Sequence, residues 1–477
     1  MNQLRVLIAT TTWWPSAARL AVAFHGHGAL VSAICPHGHP MRVLRSLRAV
    51  HAYSALAPLD TLARAIRQET PDLIVPTDDR VVAHLHALHA SATAHDPDSV
   101  ALRALIERSL GAPDGFSLSG TRDRLLQAVQ ADGVRVPAGR SIAGVDDLRA
   151  WFAARPGRCV IKTEGSWGGS GVSVVHTLAD AEAAFLAMSQ PLTLRRAVRI
   201  LLFDGDPFPF VQCLRRERRT VTVQAFIEGR QANIMAACRD GHLLDTLSVD
   251  VLRAQNGIGA ATVVRMVDCP EMEAAAAIVA RRIGASGLFG LDFMIETATG
   301  LYYLIEMNPR ATQLGHLARR GRDLAAALVA ALGGTPRIVA TPADEDQVVA
   351  LFPQALRFEA DWLERNRTRI DVPVDQPQLT AELLRRPWTK RSPFARIEGW
   401  LRDNDANGKV LSQRRAATLL AKLASQRTEA SRDIPSSRIA RLGGGLMPDH
   451  ISVPEHRRRT DDDRVVGADI MEGVSSR

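Results

Sequence analysis

GLFGLDFMIETATGLYYLIEMNPRAT, residues 287–312, decides the reading of this chain. Two apolar runs, 288–297 and 301–307, flank a Thr-Ala-Thr-Gly turn, the layout of a β-hairpin. A loop of Ala298, Thr299 and Gly300 would put glycine at the left-handed position such loops require. Counting outward, Thr297 pairs with Leu301, Glu296 with Tyr302, Met294 with Leu304 and Asp292 with Glu306. Asn308 follows on the face of Glu306. Two carboxylates then oppose each other across the ladder, which destabilises a sheet. At about 4 Å and an effective dielectric near 20 the repulsion is roughly 4 kcal/mol, large against a stability of about 5–15 kcal/mol. A divalent cation would remove that cost, and an all-oxygen ligand set suits Mg²⁺ or Mn²⁺. A one-residue slip in register would instead turn the acids out to solvent. The hairpin alone leaves both readings open.

Composition sets the frame. The chain has 477 residues, 46% hydrophobic and 23% charged, the balance of a soluble globular protein with room for two or three domains. No run approaches the ~18–20 apolar residues of a membrane span, so no membrane partner is expected. The opening MNQLRVLIATTTWWPS starts directly as a strand without a signal-peptide layout, and Cys35, Cys159, Cys213, Cys238 and Cys269 show no CxxC spacing. Both features point to reduced thiols and a cytoplasmic location. A net charge of +8 raises nucleic acid as a partner, but acids are interspersed among the arginines and aromatics make up only 5%. That argues against a base-stacking surface. A phosphate or carboxylate substrate accounts for the basic balance equally well.

Lysine occurs only at positions 162, 390, 409 and 422. Where arginine serves as the general surface cation, a retained lysine points to a need for a compact charge. Lys162 ends a short apolar strand in RCVIKTEGSWGGSGVSVV, residues 158–175. Gly165, Gly168, Gly169 and Gly171 follow, and a β-branched run resumes at Val172. Strand–glycine loop–strand is neither a dinucleotide site nor a GxxxxGK[ST] P-loop. Backbone N–H groups in such a loop can close over an anion. A plain mobile turn is the competing reading.

Four segments in this order resemble the ATP-grasp superfamily. GTRDRLLQAVQADGVRVPAG (120–139) is similar to its opening helix, with Arg124 where many members carry a phosphate-contacting Lys or Arg. Lys162 and its glycine flap come next. TVTVQAFIEGRQANIMAACRDGHLL (220–244) is similar to the hinge strand that holds adenine, which puts Gln224, Ala225, Phe226 and Ile227 against the purine. The IEMNPR of the hairpin completes the set, and the resemblance covers roughly residues 115–335. It implies ATP and Mg²⁺ (or Mn²⁺) as cofactors. Arg124 and Lys162 would neutralise phosphates under Gly168, Gly169 and Gly171, and Asp292, Glu306 and Asn308 would hold the metal. Arg310 would clamp a substrate carboxylate or the acyl-phosphate made from it. The implied activity is a ligase that joins a small-molecule or peptide carboxylate to an amine or other nucleophile, with Lys162 and Arg310 as catalytic groups. Such chemistry rests on positioning and charge neutralisation and needs no protein nucleophile. A carboxylase, a phosphotransferase and a non-catalytic nucleotide-binding scaffold are the alternatives. The metal reading of the hairpin is favoured in this setting.

The chain also departs from the family pattern. Gln231 stands where a ribose-binding Glu is frequent, and Ala225 where an acid or lysine is common. The stretch 194–220 is longer and more basic than a simple connection needs. It reads as a substrate lid, a partner surface or a tolerated surface insertion.

The expected fold class is α/β, with α+β character in the catalytic part. A Rossmann-like N-terminal domain (1–114) precedes an ATP-grasp domain (115–335). The latter divides into a first subdomain with the glycine flap (115–225) and a metal-binding subdomain (226–335). A helical accessory region (336–425) and a disordered tail (426–477) would follow. In the N-terminal domain, strands in LRVLIATTT, ALVSAIC and PDLIVPTDD alternate with helices near 16–28 and 60–69. Ligands collect at the carboxyl ends of such strands, which makes Thr10 to Trp14 and Thr77 to Asp79 candidate acceptor contacts. The histidines of HGHG, HGHP and HLHALH lack metal-site spacing and read as loop and helix-face residues.

Overall fold

The computed structural model describes residues 3–385 except 94–95, 164–170, 191, 205, 207, 216–219, 258, 338–347 and 367, together with Thr418. The chain divides into two compact units, Met1–Leu423 and Ala424–Arg477, and every described residue lies in the first. The expected tail at 426–477 falls outside the described residues, as do Gly168 and Gly169.

The N-terminal portion alternates β1 (Arg5–Ala9), α1 (Ser16–Gly26), β2 (Leu30–Cys35), β3 (Val50–Ala52), α2 (Pro58–Glu69), β4 (Leu73–Pro76), α3 (Asp79–Ser91) and α4 (Pro97–Leu110). Its sheet is parallel in the order β3-β2-β1-β4. Strict alternation along β1 sends Val6 and Ile8 to one face, against Leu20 and Phe24 of α1. Leu7 and Ala9 go to the other, against Leu62, Leu85 and Ile106 of α2, α3 and α4. The edge strand β3 was not expected, because three residues are too few to display a period.

Short α5 (Phe116–Ser119) and α6 (Arg122–Ala131) lead to β5 (Gly139–Ile142), α7 (Val145–Ala154), β6 (Cys159–Thr163), β7 (Val172–Val175) and α8 (Leu178–Ser189). The segment 194–215 forms two helices, α9 (Leu194–Asp204) and α10 (Phe208–Arg215), ahead of β8 (Val221–Ala225). Strands β5-β8-β6-β7 make a four-stranded antiparallel sheet. It closes on α7 and α8 through Leu148, Trp151, Ala181 and Phe185. Lys162 pairs with Val172 across the expected strand–loop–strand.

The largest sheet runs β13-β12-β9-β10-β11-β14-β15, from β9 (Gly229–Arg239), β10 (His242–Ala254), β11 (Ala261–Val267), β12 (Gly287–Glu296), β13 (Tyr302–Asn308), β14 (Val348–Ala350) and β15 (Arg369–Ile370). Helices α6 and α11 (Pro270–Ile283) cover one face through Leu125, Val129, Met272 and Val279. On the other face α12 (Leu324–Ala331) packs on β9, β10 and also on α1, so a single hydrophobic core joins this sheet to the N-terminal one. Leu356, Leu363, Leu379 and Leu383 enter that same core from α13 (Gln354–Phe358), α14 (Ala360–Asn366) and α15 (Pro377–Leu384). Among the described residues no helix is long and apolar enough to cross a membrane. All five cysteines are free.

The hairpin departs from its expected register near the turn. Ile295 faces Tyr302, Met294 faces Tyr303, and Phe293 faces Leu304, one residue off the counted pairs, because Glu296 bonds Leu301 and the loop spans four residues. Gly300 takes a left-handed φ of 73°, as the turn demands. A β-bulge at Ile305 then restores the count, so that Asp292 faces Glu306 and Gly290 faces Asn308. The bulge re-aims the acids onto the face the sequence assigned them.

Candidate active site

Lys162, Asp292 and Glu306 leave their sheets at the wall of one cavity of about 2530 Å³. Lys162, Gln224, Ala225, Phe226, Ile227, Gln231, Asp292, Glu306, Asn308 and Arg310 all line it. Lys162 is only 5% exposed, and its Nζ donates to Gln224 Oε1 at 2.7 Å. Gln224 comes from the neighbouring strand β8, so the small sheet itself holds the lysine in place. Burial lowers the Lys162 pKa to about 8, with Glu306 pulling up, Arg122 down and Asp292 up. The ammonium is therefore close to a charge transition and sits in the field of both acids.

Asp292 lies directly between its ladder partners, Asn233 on β9 and Glu306 on β13. Its carboxylate accepts from Asn233 Nδ2 and, at 3.0 Å, from Asn308 Nδ2. Burial first and Glu306 second push its pKa up to about 6, against those two hydrogen bonds and the nearby Arg310. Glu306 in turn pairs with the Arg122 guanidinium. Two carboxylates and an amide on one face form the oxygen-rich donor set that hard divalent cations take.

Arg310 reaches back to the N-terminal sheet. Its Nε donates to Asp79 Oδ1 at 3.0 Å, and its Nη2 to Asn308 Oδ1 at 3.0 Å. Asp79 opens α3 just beyond the carboxyl end of β4. The preceding Asp78 is committed to structure: it caps α3 through Val81 N, and accepts from Thr10 Oγ1 at 3.0 Å and from Thr11 N and Oγ1 at 2.6 and 3.0 Å. Thr11, Thr12, Trp13, Trp14, Thr77 and Asp79 all line the cavity.

The structure corrects the residue chosen on the opening helix. Arg124 is exposed and lies outside the cavity lining, whereas Arg122 lines it and meets Glu306. Arg122 is the first residue of α6, and two residues on a helix turn a side chain by about 200° to the opposite face. Asn233 was missed altogether. Its only trace in the sequence is the alternation of polar Gln231 and Asn233 in RQANIM. That signal acquires meaning only once β9 is paired with β12, which no local pattern announces. Gly171 closes the flap hairpin by accepting from Thr163 N at 2.9 Å. The histidines of α3 have separate partners: His84 bonds Tyr53, His86 stacks on Phe116, and His89 pairs with Glu107.

Comparison with known proteins gives a consistent answer. Residues 205–313 match the ATP-grasp domain family. The large chain of carbamoyl phosphate synthase from Thermus thermophilus is 23% identical over 289 residues, covering 58% of this chain and 25% of that one. This chain thus spans about a quarter of that relative's length. Among solved structures, N5-carboxyaminoimidazole synthetase from Staphylococcus aureus complexed with ADP superposes with a TM-score of 0.53 at 13% identity, over 77% of this chain and 88% of that one. Biotin carboxylase from Campylobacter jejuni superposes with a TM-score of 0.50 at 14% identity, over 72% and 73% of the two chains. Family match and fold agree: the chain carries an ATP-grasp domain at residues 205–313 and shares the overall fold of these solved structures.

Proposed function

We propose that this protein is a cytoplasmic ATP-dependent ligase. It would activate a carboxylate by phosphoryl transfer and couple the acyl group to a nucleophile, an amine in the first instance, with ADP and phosphate as products. The observation that carries the reading is the opposition of Asp292 and Glu306 beside Lys162 and Arg122 in one cavity. A site holding two acids against two cations suits a polyanion that arrives with its own divalent metal.

The donor set fits Mg²⁺. Asp292 is held against its own ionisation in the absence of a counter-charge, and a cation bound by Asp292, Glu306 and Asn308 would relieve that load. Bound there, the metal would neutralise charge on the transferring phosphoryl group. The remaining work belongs to the chain. Lys162, fixed by Gln224, and Arg122, released from Glu306, would meet phosphate oxygens. Residues 225–227 and Gln231, which line the cavity, would meet base and ribose. Arg310, its guanidinium oriented by Asp79 and Asn308, would hold the acceptor carboxylate in line. Positioning of this kind supplies most of the rate in phosphoryl transfer.

The test is thermal stability with and without ADP plus Mg²⁺, for wild type and Glu306→Gln together. Ligand at a hundredfold over Kd adds about 2.7 kcal/mol. A magnesium-dependent rise in the wild type that weakens in the variant supports the site, and phosphate release is then screened across acids and amines. No rise with any purine nucleotide would leave the fold and discard the ligase.

A further inference from the structure

The cavity is larger than one nucleotide needs. Pockets for drug-sized ligands run to about 300–1,000 Å³, and this one is about 2530 Å³. Its second half lies over the carboxyl ends of the N-terminal strands and has a distinct chemistry. Trp13 and Trp14 follow β1, Tyr53 follows β3, His84 stands on α3, and Phe208 begins α10; all five line the cavity. Phenylalanine, tryptophan and tyrosine together make up only 5% of the chain, so four of them on one wall, beside a histidine, are a marked local enrichment.

The polar groups of that wall are largely matched within the protein. Arg80 binds Asp206 through both guanidinium nitrogens, at 2.9 and 2.7 Å, and lies 4.3 Å from the centre of the Phe208 ring. Tyr53 Oη and His84 Nε2 share a hydrogen bond of 3.0 Å, with their rings stacked at 23°. Burial lowers the His84 pKa from its ordinary value, against the pull of Asp78, which favours the uncharged imidazole in this dyad. Asp79, next to Arg80 in the chain, holds Arg310, and all three line the same cavity. The wall thus carries the half-buried Trp13 and Trp14 together with Tyr53 and Phe208, in the cavity that Arg310 also lines. A half-buried tryptophan gains most when a flat apolar partner displaces water from its face.

Resting on the ligase reading above, we propose that the acid this protein activates is a small ring-bearing carboxylic acid: its ring lies between Trp13, Trp14, Tyr53 and Phe208, and its carboxylate reaches Arg310. The α9–α10 pair, latched by Arg80 and Asp206, supplies the Phe208 side of that slot and gives the segment 194–215 its use.

The experiment sets benzoate, phenylacetate and indole-3-carboxylate against hexanoate, succinate and bicarbonate. Binding is read by tryptophan fluorescence without nucleotide, and turnover by ADP release with Mg-ATP and an amine mixture. Ring acids should quench fluorescence saturably and raise ADP release about tenfold or more over aliphatic acids, a difference of about 1.4 kcal/mol. Trp14→Ala should raise KM for the best ring acid by a similar factor, and Trp14→Phe should recover most of the loss. Preference for aliphatic acids or bicarbonate, or ring acids that neither quench nor stimulate, would overturn the proposal. Mg-ADP stabilisation, measured in parallel, reports on the ligase reading by itself. If that shift is absent yet ring acids quench and Trp14→Ala abolishes the quench, the slot stands while the ligase assignment falls.

Discussion

Replacing Asp292 with asparagine should make the ligand-free protein more stable near pH 8 while abolishing its turnover. The Asp292 carboxyl is raised from an ordinary 3.8 to about 6, by burial first and by Glu306 second. An acid whose folded pKa exceeds its unfolded one leaves the folded chain holding more protons in the window between them. Stability from this group is then full below about pH 4 and is lost as pH rises to about 6. Roughly two units at about 1.4 kcal/mol each put the penalty near 3 kcal/mol above pH 6. Asparagine reproduces the neutral shape but can accept only one of the two amide hydrogen bonds now donated by Asn233 and Asn308. Losing the other costs about 1 kcal/mol.

The net expectation is a gain of roughly 2 kcal/mol at pH 8 and a loss of about 1 kcal/mol near pH 3, with the two curves crossing at about pH 4.5. Extending the size scaling of Tm to this chain, about 1–2 °C per kcal/mol, the gain is a rise of about 2–4 °C. Melts in EDTA across that range measure it directly. A variant less stable than wild type at pH 8, or a difference that keeps one sign throughout, would refute the claim that this carboxylate is held under load. Adding Mg²⁺ should close the gap by stabilising the wild type alone.

Arg122→Ala should weaken Mg-ADP binding by about tenfold or more, as loss of a charged phosphate contact does, while Arg124→Ala leaves it unchanged; titration calorimetry separates the two. Lys162 loses its proton near pH 8, and a phosphate contact requires that proton. Nucleotide affinity should therefore be full below about pH 8 and fall by up to about tenfold per unit above it, and in Lys162→Met it should be weak at every pH. Asp206→Ala removes the two charge-assisted hydrogen bonds to Arg80, worth about 1.5–3 kcal/mol. Limited proteolysis within 194–215 should speed up by about tenfold or more, and an unchanged cleavage rate would show that the latch carries no load.

What the sequence reveals and what it conceals divides along the range of the interactions. Asp292 opposite Glu306, Lys162 at the base of its hairpin and the alternating burial of β1 all follow from periods of two within a few residues. The counted register failed over Met294 and Glu296 because a four-residue loop displaced it, and it recovered at Asp292 because Ile305 bulges. Neither event leaves a mark in composition. Asn233 is invisible for a different reason: it acquires its role from a partner 59 residues away, and Asp79, marked by its place at a strand end, likewise gains its bond to Arg310 from 231 residues away. The resemblance points to Arg124 although Arg122 lines the cavity, because motif spacing locates a helix start only to within a residue or two. On a helix, that uncertainty decides whether a side chain faces the site or the solvent.

The same contacts explain how a site with opposed acids can fold before any ligand arrives. Glu306 borrows Arg122, Asp292 borrows the amides of Asn233 and Asn308, and Arg310 is shared between Asn308 and Asp79. Arg122, Asn308 and Arg310 are groups that the proposed reaction would redeploy. A metal on Asp292 and Glu306 would free Arg122 to meet phosphate, and would draw the oxygen of Asn308 away from Arg310. Arg310 would then exchange that oxygen for a substrate carboxylate. Binding of the metal nucleotide and of the acid would thereby be coupled through Asn308 and Arg310, since the first event would remove a competitor of the second. The coupling runs both ways by thermodynamic necessity. A bound acid should tighten Mg-ADP by the same factor by which Mg-ADP tightens the acid, and Asn308→Ala should reduce both factors toward one. Unequal factors in the wild type would mean a third ligand, and undiminished ones in the variant would place the coupling elsewhere.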